Sequence, residues 1–167
     1  MSSTEDQMAK VMFGAGCFWG VEAKFRATPG VIEAFSGYAG GTYDNPTYKE
    51  VCADVTGHAE VVEVEYDPEQ VAIEDLLAVF WDAHDPTQVN RQGHDFGTQY
   101  RTVIFTYDDD QHAKALASKQ GLEASGKYSA PIATQVAAAP KFWPAEDYHQ
   151  RYLEKKGLVS CTIPGSG

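Results

Sequence analysis

Cysteine is scarce. Cys17, Cys52 and Cys161 are the only three in 167 residues, too few and too far apart for a disulfide framework, so any disulfide among them is expected to be transient and catalytic. Long apolar runs are missing as well. None approaches the ~18 residues that would cross a bilayer. The polar, acidic start Met1-Ser2-Ser3-Thr4-Glu5-Asp6 lacks the basic opening and apolar middle of a signal peptide. A reducing cytosol is therefore the expected compartment, with no membrane partner. Basic residues are outnumbered: 13 Lys and Arg against 24 Asp and Glu give a net charge of −11, and no Lys/Arg-rich run occurs. That balance argues against binding a nucleic-acid backbone, which needs clustered positive charge. An acidic surface of this kind serves solubility. The cysteines and five histidines show no zinc-ligand spacing. Cys-x-x-Cys, the usual mark of a disulfide reductase, is absent.

What is present is a globular composition, 43% hydrophobic and 12% aromatic. The length fits one domain able to bury roughly two thirds of its unfolded surface. There is no internal repeat, low-complexity tract or linker. Val11-Met12-Phe13 reads as a buried strand running into Gly14-Ala15-Gly16. A helix is expected from Cys17 to about Thr28-Pro29-Gly30. Residues 31–38 and 58–66 read as strands. Ile73, Leu76, Leu77 and Phe80 share a helical face, closed by Asp85-Pro86. A polar loop follows at 91–95, and residues 100–107 are β-rich. Residues 108–126 read as a helix with an Asp-rich entry, and 132–138 as a strand. Pro144 stands where a last helix would begin, ending at Gly157. The interleaving predicts an α+β fold: one domain, a mixed β-sheet flanked by helices, a core of about residues 10–157 and an irregular C-terminal tail at 158–167.

Gly16-Cys17-Phe18-Trp19-Gly20 carries the most chemistry. A strand feeds a small-residue turn, and Cys17 stands where a helix begins. Backbone N–H groups and the helix dipole favour an anion there, which lowers a thiol pKa. Phe18 and Trp19 could wall an apolar slot beside it. The competing reading is a buried, inert thiol. Glu60 opens the strand face shared by Val62, Val64 and Tyr66. A carboxyl held on that face would keep its proton near neutrality and serve as a general acid; a strand-end Glu turned to solvent is the alternative. Other features read as structure. Phe80 and Trp81 belong to the core, and His84 ends a helix. Tyr148, His149 and Tyr152 pack or brace the tail, and Asp108-Asp109-Asp110 is a solvated helix start.

Gly-Cys-Phe-Trp-Gly at Cys17 resembles the signature of the A-type peptide methionine sulfoxide reductases. Further segments follow in that family's order: Ser36-Gly37-Tyr38-Ala39-Gly40-Gly41, Asn45-Pro46-Thr47-Tyr48, Glu50-Val51-Cys52, Gly57-His58-Ala59-Glu60, Asp85-Pro86-Thr87, Arg91-Gln92-Gly93, Asp95, Gly97-Thr98-Gln99-Tyr100-Arg101 and Ala145-Glu146-Asp147-Tyr148-His149-Gln150. The resemblance spans about Val11 to Cys161. It implies reduction of methionine-S-sulfoxide, free or in proteins, with no bound cofactor or metal. It implies Cys17 as nucleophile, Glu60 as acid, and Tyr48 and Tyr100 as hydroxyl donors to the substrate oxygen. Asp95 would belong to the same pocket, and Phe18 and Trp19 to the wall that receives the methyl. Cys161, alone in the tail, would resolve a sulfenic acid on Cys17 by forming a disulfide. Thioredoxin, or dithiothreitol in vitro, would reset the enzyme, acting as a monomer. Cys52 would be structural, its thiol held in a packed segment. A thiol peroxidase would not need Glu60, Tyr48 and Tyr100 beside its cysteine.

Overall fold

The computed structural model describes residues 8–53, 56–92 and 95–150, without the side chain of residue 148. Cys161 and the rest of the C-terminal tail lie outside them. The elements are β1 (Ala9–Gly14), α1 (Phe18–Arg26), β2 (Val31–Ala39), α2 (Tyr48–Cys52), β3 (Ala59–Tyr66) and α3 (Ile73–Asp82). They continue with β4 (Arg91–Gln92), β5 (Asp95–Phe96), a 3₁₀ turn (Thr98–Tyr100), β6 (Val103–Thr106), α4 (Asp109–Ala124), β7 (Gln135–Ala138), β8 (Trp143–Pro144) and a second 3₁₀ turn (Asp147–His149).

Six strands form one sheet in the order β7-β6-β1-β3-β2-β8. Only β6 and β7 run parallel; the other pairs are antiparallel. This is the expected mixed α+β sheet. The middle strands, β1 and β3, pair from Ala9↔Tyr66 to Phe13↔Val62. Alternation along them splits the core as a period of two requires. Phe13, Val62 and Val64 join Phe25, Leu76, Leu77, Phe80 and Ala115 of the three long helices. Met12 and Val61 face the other way, with Ala39, Ala59, Val103 and Phe105. Phe13 stacks on Phe25 at 4.8 Å and on Phe80 at 5.0 Å. Among the described residues no helix is long and apolar enough to cross a membrane.

Most element boundaries fall close to expectation. Asp108 caps α4 by accepting the Gln111 amide at 2.8 Å. His84 lies just past α3, its Nδ1 2.8 Å from the Phe80 carbonyl. Three expectations need correction. The polar loop at 91–95 contains a short antiparallel pair, Gln92↔Asp95. Tyr100 closes a 3₁₀ turn rather than opening a strand. Pro144 does not start a helix: Trp143–Pro144 is an edge strand on Tyr38 and Gly37, a place where a residue without an N–H is tolerated. The helix expected beyond it reduces, within the described residues, to Asp147–His149.

Candidate active site

Cys17 is the N-cap of α1, half-buried at the end of the turn that leaves β1. Gly16 turns the chain with φ of +92°, and a Cβ there would come within 2.9 Å of Gln92. Only glycine meets both demands. Gln92 is itself fixed, its amide donating to and accepting from the Asp85 backbone at 2.6 and 3.0 Å. The small β4–β5 pair thus lies over the Cys17 turn, and Asp95 belongs to it.

Glu60 is the second residue of β3, two residues before the last β1–β3 pair. It is 1% exposed, and its Oε1 accepts the Phe18 amide at 3.2 Å. The solvent-facing alternative for this carboxyl is therefore ruled out. The residue that follows Cys17 is bonded directly to the carboxyl.

Tyr48 and Tyr100 complete one side. Tyr48 opens α2, whose entry is a capping box: the Thr47 hydroxyl accepts the Glu50 amide at 3.2 Å and Glu50 accepts the Thr47 amide at 3.0 Å. The Tyr48 ring lies 6.2 Å from Phe18 and 6.5 Å from Trp19. Burial raises the Tyr48 hydroxyl pKa above that of an ordinary phenol; the Glu60 charge and a hydrogen bond to Cys52 push it further. Burial also raises Tyr100, followed by the charges of Glu60, Cys52, Asp95 and Cys17. Both hydroxyls thus keep their protons and remain donors. Tyr100 thus feels the charges of Glu60, Asp95 and Cys17, and Tyr48 that of Glu60. Phe18 is 1% exposed and its ring lies between Tyr38 and Tyr48, while Trp19 is half-buried.

Cys52 differs from expectation. Its residue is exposed at the end of α2. Its thiol bonds the Tyr48 hydroxyl and the Gln99 side chain; burial raises its pKa against those bonds. The thiol is thus held in place as expected, by hydrogen bonds rather than by burial in a packed segment.

Two more residues enter the site. Glu146 accepts the Tyr38 hydroxyl at 2.8 Å and the Tyr48 amide at 3.0 Å. Its burial favours the neutral form, yet hydrogen bonds from the Tyr48 amide, its own amide and Tyr38 bring its pKa below the ordinary value. His149 is fully buried and its Nδ1 accepts the Trp19 indole N–H at 2.9 Å. Burial lowers its pKa, opposed by Glu146. Gln150 ties this segment to β2 through both backbone groups of Ser36, at 2.9 and 2.7 Å. Both residues lie within Glu146-Asp147-Tyr148-His149-Gln150, a run visible in the sequence. No local pattern there reveals its distant partners. Among the described residues no cluster of three His, Cys, Asp or Glu could hold a metal.

The site can therefore present a half-buried thiol, a buried carboxyl, two protonated phenols and an aromatic wall to one small polar group bearing an apolar substituent. Comparison with known proteins agrees with that chemistry. The family model described as "Peptide methionine sulfoxide reductase" matches residues 9–165. The protein named "Peptide methionine sulfoxide reductase MsrA" of Acidobacterium capsulatum is 56% identical over 156 residues, 93% of this chain and 100% of that one. The solved methionine sulfoxide reductase A of Corynebacterium diphtheriae superposes with a TM-score of 0.84 at 40% identity, covering 93% of this chain and 78% of the other. Mxr1 from Saccharomyces cerevisiae in reduced form gives 0.85 at 34% identity, covering 91% and 87%. Mxr1 has also been solved in complex with Trx2.

Proposed function

Because this chain belongs to the peptide methionine sulfoxide reductase family, we propose a division of labour among its residues for the reduction of methionine-S-sulfoxide, free or within oxidised proteins. The observation that carries it is the bond from the Phe18 amide to Glu60, which sets a buried carboxyl beside the nucleophile's turn. The Cys17 thiolate, favoured at the α1 N-terminus, attacks the sulfoxide sulfur and forms an S–S bond to it as the S–O bond breaks. Glu60 gives its proton to the departing oxygen, which the Tyr48 and Tyr100 hydroxyls hold as preorganised donors. Asp95 lines the same pocket. Trp19, backed by Phe18, receives the substrate methyl. The hydroxide so released then adds to the Cys17 sulfur, the S–S bond breaks with its electron pair on the substrate sulfur, methionine leaves, and Cys17 remains as a sulfenic acid.

The Cys161 thiol then attacks the Cys17 sulfur; water leaves and a disulfide remains. A dithiol reductant accepts that disulfide by exchange and is itself oxidised. Thioredoxin fits this step, supported by the complex of the yeast relative with Trx2. No bound cofactor is required.

Single-turnover assays of each sulfoxide epimer test the assignment. The S epimer should yield one methionine per enzyme without reductant recycling. A folded Cys17→Ser variant should yield none, and normal turnover by that variant would overturn the mechanism. For the second step, peptide mapping after one turnover should join Cys17 to Cys161, and Cys161→Ser should stall with thioredoxin. A Cys17–Cys52 bridge with full cycling in Cys161→Ser would reassign the resolving thiol and leave Cys17 in place.

A further inference from the structure

His149 has no part in the reaction just described, yet it touches most of the pocket's apolar side. Its ring centroid lies 4.3 Å from Tyr48, 5.2 Å from Phe18 and 5.7 Å from Trp19. It has no exposed surface. Phenylalanine would fill that volume equally well. What only the imidazole supplies is an acceptor, Nδ1, 2.9 Å from the indole nitrogen of Trp19.

We infer that His149 is a positioning residue that sets which way round a sulfoxide enters: by occupying the Trp19 indole N–H, it leaves the methyl-receiving wall with no hydrogen-bond donor. The inference rests on the assignment of Trp19 to that wall. A tryptophan carries a single polar hydrogen. A sulfoxide presents one strong acceptor, the oxygen, and one small apolar arm, the methyl, on the same sulfur. The pocket must send the oxygen toward Tyr48, Tyr100 and Glu60 and the methyl toward Trp19. An indole N–H left to rotate would compete for the oxygen and hold it on the wrong side. Bound to Nδ1, that hydrogen is spent and the indole tilt is fixed. For Nδ1 to accept, the ring must be neutral with its proton on Nε2. A charged imidazolium would present N–H to N–H. Burial keeps the ring neutral, since it lowers the His149 pKa. Glu146, the nearby carboxylate, bonds Tyr38 and the Tyr48 amide in the same segment.

Two variants separate this role from packing. His149→Phe keeps an aromatic ring against Phe18, Trp19 and Tyr48 but has no acceptor. His149→Asn keeps an acceptor oxygen close to where Nδ1 stood and gives up ring volume. Oxygen held on the wrong side is a non-productive complex, so kcat and KM for methionine-S-sulfoxide should fall together in His149→Phe, by about tenfold, with kcat/KM within about twofold of wild type. His149→Asn should recover most of kcat. Wild-type kcat and KM in His149→Phe would overturn the inference. So would an equal fall in both variants. If neither variant folds, the wild-type protein decides: the Trp19 indole N–H resonance, assigned with Trp19→Phe, should be downfield and slow to exchange, and an exposed, fast-exchanging N–H would sink the idea. Wild-type protein that reduces neither epimer would refute the proposed reaction, while the indole resonance would still report on the His149 contact.

Discussion

Glu60 and Cys17 carry the proposed chemistry, and they are the residues most easily isolated by mutation. Glu60→Gln preserves shape and an oxygen to accept the Phe18 amide but cannot release a proton. The reduction step should slow by at least about tenfold while Cys17 stays open to alkylation; an unchanged single-turnover rate would remove Glu60 from the mechanism. Both residues could be found from the sequence because their context is local. Cys17 follows a glycine-rich turn, and Glu60 opens an alternating strand. Glu146 and His149 could not be found so. Their partners Tyr38, Tyr48 and Trp19 stand about a hundred residues away in sequence, and nothing around 146–149 encodes such distant contacts. Cys52 is hard to read for the opposite reason. Its neighbours are ordinary helix residues, but helical spacing of four places its thiol on the Tyr48 hydroxyl.

At the level of elements, α2 has no signature in the sequence because five residues are too short to show a helical period. Its stability comes from its cap instead. Thr47→Ala removes the hydroxyl that accepts the Glu50 amide, at a cost of about 1 kcal/mol. Since Tyr48 is the next residue, this change should lower kcat/KM for methionine-S-sulfoxide while thermal unfolding shifts only slightly. Thr47→Ser should restore both, and a Thr47→Ala protein with unaltered kinetics would show that the cap does not place Tyr48. β8 has no signature for a related reason: two residues give no alternation, and Pro144 reads as a helix start. Its pairing is enforced by contact instead. A Cβ on Gly37 would come within 2.4 Å of the Phe142 ring and 2.6 Å of the Trp143 carbonyl. The long elements α1, β2, β3, α3 and α4 were readable because each spans enough residues for its period to emerge.

For the whole molecule, acid should destabilise the fold through its buried histidines. His84 is held neutral between the Phe80 carbonyl and the Thr102 hydroxyl, and burial lowers its pKa from 6.5 to about 4. Between those values the unfolded chain takes up a proton that the folded chain refuses. This contribution is complete above the unfolded pKa and is lost as pH falls toward 4. Across that window it amounts to about 3 kcal/mol. Burial of His149 acts in the same direction. Urea midpoints measured across the window should fall steeply with pH. His84→Gln, which can still pair with both neighbours, should flatten the fall, and an unchanged slope would show that other groups govern acid sensitivity.

Cys17 and Glu60 stand at the same end of β1 and β3, the two central neighbours of the sheet. Their relative placement follows from the pairing of adjacent strands, about 4.8 Å apart, and from the short Ala15-Gly16 turn that carries Cys17 off β1. Descendants of this chain are therefore free to lengthen, shorten or rewrite peripheral segments, such as the link between α4 and β7, without parting nucleophile from acid. What lineage change must preserve is the pairing of two strands, the part of the architecture least open to drift.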